Sequence, residues 1–396
     1  MYTPYNSRHF TTYVDPESKM KIAILSTHVA PVQQSFYFVN SGWSDDGRYY
    51  WFYCSYPPSL DRVAGVVDFL IDEVFVFPET GVKSSYLVDH RNGNLYFGNG
   101  QGIYMRTPHP QDKAVLIARL PEKCRSAQVK SVATHLTLSP DESELMADIQ
   151  TECGTVMGTF RISTGEFCEW YHTPLGKPYN HAQMSPVDEN LCLCAHESYF
   201  DPALGKRVPP QMENGIYPRL HIIGRDGSNR MIPPFENYAT HEYWAPDGKA
   251  IYYCKGGFLE NGNRVGYIVK SDLSNDEAYP VYQIEIPNGV STWHSHCSQN
   301  EKYFVADGSY PDGELRWWRG CESFVTFCNT ETGKQIRFLT KNPVVEGWSP
   351  QNPCPYHIDP HPRFVLNDSL ISFTTTVYGR VDAAVISVDQ LIEATK

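Results

Sequence analysis

Several of the fourteen histidines in this 396-residue chain recur at a fixed distance from a turn signal. His135 lies six residues before Asp141, His241 six before Asp247, His294 six before Asn300 and His361 six before Asn367. His181 lies seven before Asp188. His296 follows His294 by two, so an extended chain would point both side chains the same way. Imidazoles gathered in one place bind metal ions or accept protons near neutral pH. A single histidine reads most simply as a hydrogen bonder at a strand end. Several in one register point to function, because unrelated structural histidines have no reason to share a phase.

The elements that must hold these side chains follow from an internal repeat. An apolar residue, a Ser-Pro-Asp-Gly-like turn and a short apolar run occur seven times, anchored on Asp46, Asn92, Asp141, Asp188, Asp247, Asn300 and Asn367. The anchors are 46 to 67 residues apart. Each copy is a hairpin signal, and the interval leaves room for about four short strands. One such unit cannot bury both faces, whereas seven packed radially can. The expected fold is therefore all-β, a single seven-bladed β-propeller over residues 1–396. The segment His9–Leu25 reads as strand, turn and strand. Its pairing with a C-terminal strand around Ala383–Val388 would close the ring and remove a free edge. If the strand before each turn is innermost, the phased histidines converge on one mouth of the central channel. The long intervals near Phe200–Tyr217 and Phe338–His357 read as loop insertions on the rim.

Composition bounds the rest. The chain is 41% hydrophobic and 13% aromatic, with 26 Tyr, 29 Pro and 28 Gly, a mixture that favours short strands joined by turns. Net charge is −12 and no Lys/Arg run occurs, which argues against a nucleic-acid partner. No stretch has the length of a membrane span. The polar start Met1–Phe10 lacks an apolar signal core, so the expected location is cytoplasmic. The 11 Cys are odd in number and include no CxxC pair, consistent with reduced, buried thiols.

At these same histidines the chain resembles the oligogalacturonate lyases, family 22 of the polysaccharide lyases. The segment Thr240-His241-Glu242-Tyr243-Trp244-Ala245-Pro246-Asp247-Gly248 is similar to that family's Thr-His-Glu-Phe-Trp-x-Pro-Asp-Gly, which implies His241 as the catalytic base. Ser295-His296 resembles the family's Ser-His, implying His296 as a metal ligand. Asp359-Pro360-His361-Pro362 resembles its His-Pro-His-Pro, implying His361 as a ligand, with Asp359 standing where the family has its other histidine. A carboxylate ligates hard divalent ions, and His357 two residues earlier is an alternative. The family's glutamine ligand has no clear counterpart; Gln351 is a candidate. Tyr217-Pro218-Arg219-Leu220 falls where the family has a catalytic arginine, implying that role for Arg219. The implied cofactor is a divalent metal ion such as Mn²⁺, and the implied partner an acidic oligosaccharide. His135, His181, His294 and Tyr217 are candidate substrate contacts.

The chemistry implied is β-elimination. A base removes the C5 proton of a uronate and the oxygen on C4 departs. That proton becomes acidic enough only when the adjacent carboxylate is neutralised by a cation, such as a metal ion or the planar fork of an arginine. Hydrolysis would instead need two facing carboxyl groups, and no such pair stands out. The alternative is a propeller that binds carbohydrate or protein without turnover, its histidines being structural.

Overall fold

The turn chemistry explains why the repeat is visible. The anchor side chain accepts a hydrogen bond from the backbone N–H two residues on at Asp46 (from Arg48, 3.0 Å), Asn92 (from Asn94, 2.8 Å), Asp141 (from Ser143, 3.1 Å), Asp188 (from Asn190, 2.9 Å), Asp247 (from Lys249, 3.0 Å) and Asn300 (from Lys302, 3.0 Å). This is the Asx turn, and it tightens the hairpin without help from any other part of the chain. Gly47, Gly93 and Gly248 follow three of the anchors at φ of 70°, 73° and 68°, where a side chain would be strained. The seventh turn is built differently: Leu366, Asn367 and Asp368 all take left-handed φ.

The computed structural model describes residues 3–82, 85–175, 177–197, 199–201, 204–208, 219–233, 239–260, 264–285, 291–309, 322–349, 351–352 and 354–396. Each turn joins the first two strands of an antiparallel blade. Blade 1 comprises Val32–Gln34, Tyr49–Ser55, Arg62–Asp68 and Glu73–Val82; blade 2 Leu87–Val88, Leu95–Asn99, Gly102–Arg106 and Val115–Arg119. Blade 3 comprises Thr137–Leu138, Glu144–Thr151, Gly154–Arg161 and Phe167–Pro174; blade 4 Tyr179–Met184, Leu191–His196, Leu220–Gly224 and Asn229–Met231. Blade 5 comprises Thr240–Trp244, Ala250–Phe258, Arg264–Asp272 and Ala278–Glu285; blade 6 Ser291–Cys297, Tyr303–Ser309, Ser323–Asn329 and Gln335–Asn342. Blade 7 takes Arg363–Val365, Leu370–Thr375 and Asp382–Ser387 from the C-terminal part of the chain, and Lys21–Leu25 and Phe10–Val14 from the N-terminal part. Ile22, Ala23 and Ile24 stand opposite Ile386, Val385 and Ala384 in this last sheet. The molecule is a seven-bladed β-propeller.

The core is divided into wedges, one between each pair of neighbouring blades. Trp51 and Tyr53 of blade 1 pack with Leu95 and Phe97 of blade 2, and Leu193 and Ile222 of blade 4 pack with Tyr253 and Val269 of blade 5. Val305 and Phe327 of blade 6 pack with Ile371 and Phe373 of blade 7. Blade 7 meets blade 1 through Val385 and Ala383 against Phe52 and Cys54. Each blade thus buries both faces, which a lone four-stranded sheet cannot do.

One segment departs from the repeat. Between the first two strands of blade 1, residues Ser35–Asn40 run through the centre of the ring. Asn40 Nδ2 donates to the carbonyls of Tyr86 and Leu136, in or beside blades 2 and 3. The carbonyls of Phe38 and Val39 accept from Arg363 of blade 7. Phe38 packs against Tyr243 of blade 5. No helix among the described residues is long and apolar enough to cross a membrane. Among those residues every cysteine is free of a disulfide.

Candidate active site at the channel mouth

The phased histidines sit within, or just before, the first strand of their blades, and there the backbone is unusual. His181, His241 and His361 have φ of 57°, 57° and 48°. The strand register slips between Asn180 and Gln183, between Thr240 and Tyr243, and between Thr292 and Ser295. A left-handed non-glycine residue costs about 1 kcal/mol or more, and a bulge re-aims its side chain. Three blades bear this cost in the same place, and the result is a ring of imidazoles. The ring centroids of His241 and His294 lie 4.0 Å apart, those of His294 and His361 4.3 Å, and those of His357 and His361 4.5 Å. His135 and His181 lie 5.1 Å apart on the other side. Tyr37, from the central segment, fills the gap: it stacks on His135 at 5.1 Å and meets His361 edge-on at 4.7 Å.

His294, His357, Asp359 and His361 form a group whose ligating atoms all fall within 4.8 Å of one another. Nε2 of His357 and Oδ2 of Asp359 are 2.8 Å apart. Asp307, on the second strand of blade 6, accepts from Nδ1 of His294 at 2.9 Å and from the backbone N–H of His361 at 3.0 Å. Burial pushes its carboxyl up to about 7 against the pull of the backbone N–H groups of His294 and His361. Nε2 of His361 is buried with no hydrogen-bond partner, an arrangement that costs free energy unless something ligates it. Burial, then the neighbouring His294 and His357, holds His361 well below the usual imidazole range, in the neutral form that binds metal. Three imidazoles and one carboxylate suit a divalent transition ion such as Mn²⁺, and the residues present fit one.

His296 does not join this group. The bulge ends just before it, so His294 and His296 do not share a face. The ring of His296 lies parallel to Tyr243 at 5.5 Å and beside Phe364 at 6.1 Å. It lines a different cavity, of about 400 Å³, near the hairpin turns. The expectation of simple alternation from His294 to His296 fails because it assumes a regular strand. Gln351 is exposed.

His241 adjoins the group through His294. Burial, then the charge of His294, drives its pKa well below the usual range, so the ring is neutral at pH 7. His135 is likewise held neutral by burial and by His181. His181 differs. Burial disfavours its charge, but Glu197 and Glu242 outweigh this and raise its pKa. Oε1 of Glu242 lies 2.8 Å from Nδ1 of His181, and Oε2 of Glu197 lies 3.8 Å from its Nε2.

Arg219 completes this second cluster from behind. Its Nη1 donates to Glu197 at 2.7 Å and its Nη2 to Glu242 at 3.2 Å. The residue is 2% exposed and does not line the cavity beside the histidines. For Arg219 to clamp a substrate carboxylate directly, one of these glutamates would have to release it. Burial would raise both glutamates, yet the cations win: Arg219 and His181 pull Glu242 far below the usual carboxylate range, and His181 and Arg219 hold Glu197 at about 2.

The cavity holds about 470 Å³, enough for a small oligosaccharide. Its walls include His135, His181, His357, His361 and Tyr37, with Ser, Thr and Gln side chains suited to sugar hydroxyls. Tyr217 lies outside the described residues. Four contributors escaped the sequence reading: Tyr37, Glu197, Glu242 and Asp307. Glu242 had a signal, since it adjoins His241 in a quoted motif; the other three lie outside the repeat's phased positions.

No protein-family model and no curated protein sequence matches the chain. Solved structures do. An oligogalacturonate lyase in complex with manganese is similar with a TM-score of 0.70 at 16% identity, over 96% of each chain. An oligogalacturonate lyase from Vibrio parahaemolyticus is similar with a TM-score of 0.69 at 18% identity, again over 96% of each chain. A Dos1 propeller reaches a TM-score of 0.50 at 10% identity, over 91% of this chain and 93% of its own. At these identities the likeness establishes the propeller fold alone.

Proposed function

We propose that the chain is a metal-assisted lyase that cleaves uronate-containing oligosaccharides, oligogalacturonate or a close relative, by β-elimination. One observation carries this reading: neutral His241 lies against the His294–His357–Asp359–His361 group, its ring 4.0 Å from that of His294, at the mouth of a propeller that shares its fold with oligogalacturonate lyases. His241 accepts the C5 proton in its neutral form; the C5–H electron pair becomes the C4=C5 double bond, the C4–O bond breaks, and the departing oxygen takes a proton from solvent. A divalent ion held by His294, His357, Asp359 and His361, Mn²⁺ by likeness to the manganese complex, would neutralise the uronate carboxylate and so acidify the neighbouring C–H. His181 lines the cavity, and Glu197 and Glu242 favour its charged form where negative charge builds on the sugar. Arg219 anchors Glu197 and Glu242, which orient His181 and favour its protonated form. Both glutamates are held ionised, so neither can serve as the protonated acid that a glycoside hydrolase requires.

The test is a screen of digalacturonate and other uronides with and without Mn²⁺, followed by near-ultraviolet absorbance. The expected result is a metal-dependent unsaturated product. Protein that binds Mn²⁺ yet gives no such product on any uronide would sink the reading.

A further inference from the structure

Arg62 stands on the wall of the histidine cavity, on the second blade-1 hairpin rather than on any phased strand. It is the one Lys or Arg among the described residues that line this cavity. Its guanidinium makes no hydrogen bond or ion pair among the described residues, in contrast to Arg219. It lies over the ring of Tyr53, 4.8 Å from the centroid, which fixes its plane. Tyr53 is itself buried and packs on Phe36 and Tyr86. The hydroxyl of Tyr86 donates to the Arg62 carbonyl at 2.7 Å, so the backbone is anchored too. Another part of the wall is tied to the chain just before Arg62: Tyr356, one residue before His357, donates its hydroxyl to the Ser59 carbonyl at 2.7 Å. Arg62 and the candidate metal group therefore belong to one built cavity, and the arginine's positive charge reaches His361 and Tyr356.

A pre-oriented, unpaired guanidinium in a half-enclosed polar cavity is matched to a planar anion. The metal group already accounts for one carboxylate in the lyase reading. An oligouronide carries a second on the adjoining ring. We infer that Arg62 binds the carboxylate of the uronate next to the reacting one, making it the residue that selects substrates with two adjacent acidic sugars. This rests on the proposed sugar-acid specificity, but not on turnover.

The experiment is a calorimetric titration with Mn²⁺ present, comparing His241→Ala with the double variant His241→Ala/Arg62→Met, so that no substrate is consumed. The probes are digalacturonate and monomeric galacturonate. A charge-assisted pair of hydrogen bonds predicts digalacturonate binding about 10- to 100-fold weaker in the double variant, with galacturonate unchanged. Equal binding of digalacturonate by both proteins, or an equal loss for both sugars, would overturn the assignment. So would the absence of digalacturonate binding by His241→Ala, provided that its melting temperature matches the wild type. Wild-type turnover is read separately. Arg62-dependent binding without an unsaturated product would defeat the lyase reading and leave Arg62 in place; product with no Arg62 dependence would do the reverse.

Discussion

Asp307 holds His294. Its Oδ2 lies 2.9 Å from Nδ1 of the imidazole, while the same carboxyl accepts the backbone N–H of both His294 and His361. One side chain on the neighbouring strand thus sets the orientation of one candidate ligand and the backbone of another. Such carboxylate–histidine pairs fix the tautomer and aim the remaining ring nitrogen at the ion.

Asp307→Asn is therefore expected to weaken Mn²⁺ binding by about 10- to 100-fold. Calorimetric titration with Mn²⁺ checks this. An unchanged affinity would show that His294 needs no such support.

The two histidines of the Trp293-His294-Ser295-His296 run should behave oppositely. His294→Ala removes a member of the four-residue group and should abolish stoichiometric metal binding. His296→Ala removes a ring packed between Tyr243 and Phe364 and should leave metal content at wild-type level. Metal analysis of both purified variants decides between the structural grouping and the family motif.

His241→Ala should retain the metal and the fold but lose turnover. Removal of a positioned general base costs about 10²- to 10⁴-fold in rate. The check is product absorbance alongside a metal assay. Loss of metal in this variant would place His241 among the ligands instead.

The Glu197–Arg219–Glu242–His181 cluster predicts a stability dome in pH. Glu197 falls from 4.5 to about 2 on folding, so its contribution is complete above pH 4.5 and lost as pH falls toward 2. The pKa of His181 is raised above 6.5, so its contribution is present below 6.5 and lost as pH rises through the folded value. Glu197→Gln should lower stability at pH 6 by roughly 1–3 kcal/mol and flatten the acid limb of the dome. Urea melts from pH 3 to 9 measure both effects.

Much of this was legible in the chain itself. Six of the seven turns could be read because an Asx side chain closing a hairpin is a local device. Asp141 and Asp247 need only the two residues that follow them. Recurrence every 46 to 67 residues then implies blades, and the shared phase of His135, His241, His294 and His361 implies convergence at one radius. His241 emerges beside the candidate metal group as its phase suggests. The tertiary structure decided the rest, because it depends on non-local contacts. The slip at Thr292–Ser295 leaves His294 in the four-residue group and puts His296 on the wall of a cavity near the hairpin turns, and no residue type announces a bulge. The resemblance implies that Arg219 meets the substrate, yet Glu197 and Glu242, from elsewhere on blade 4 and from blade 5, engage both of its terminal nitrogens. Tyr37 reaches the histidines only because its segment crosses the axis of the ring. Local turn chemistry specified the propeller and its ring of imidazoles; packing across blades selected which of them meet and which carboxylates hold them.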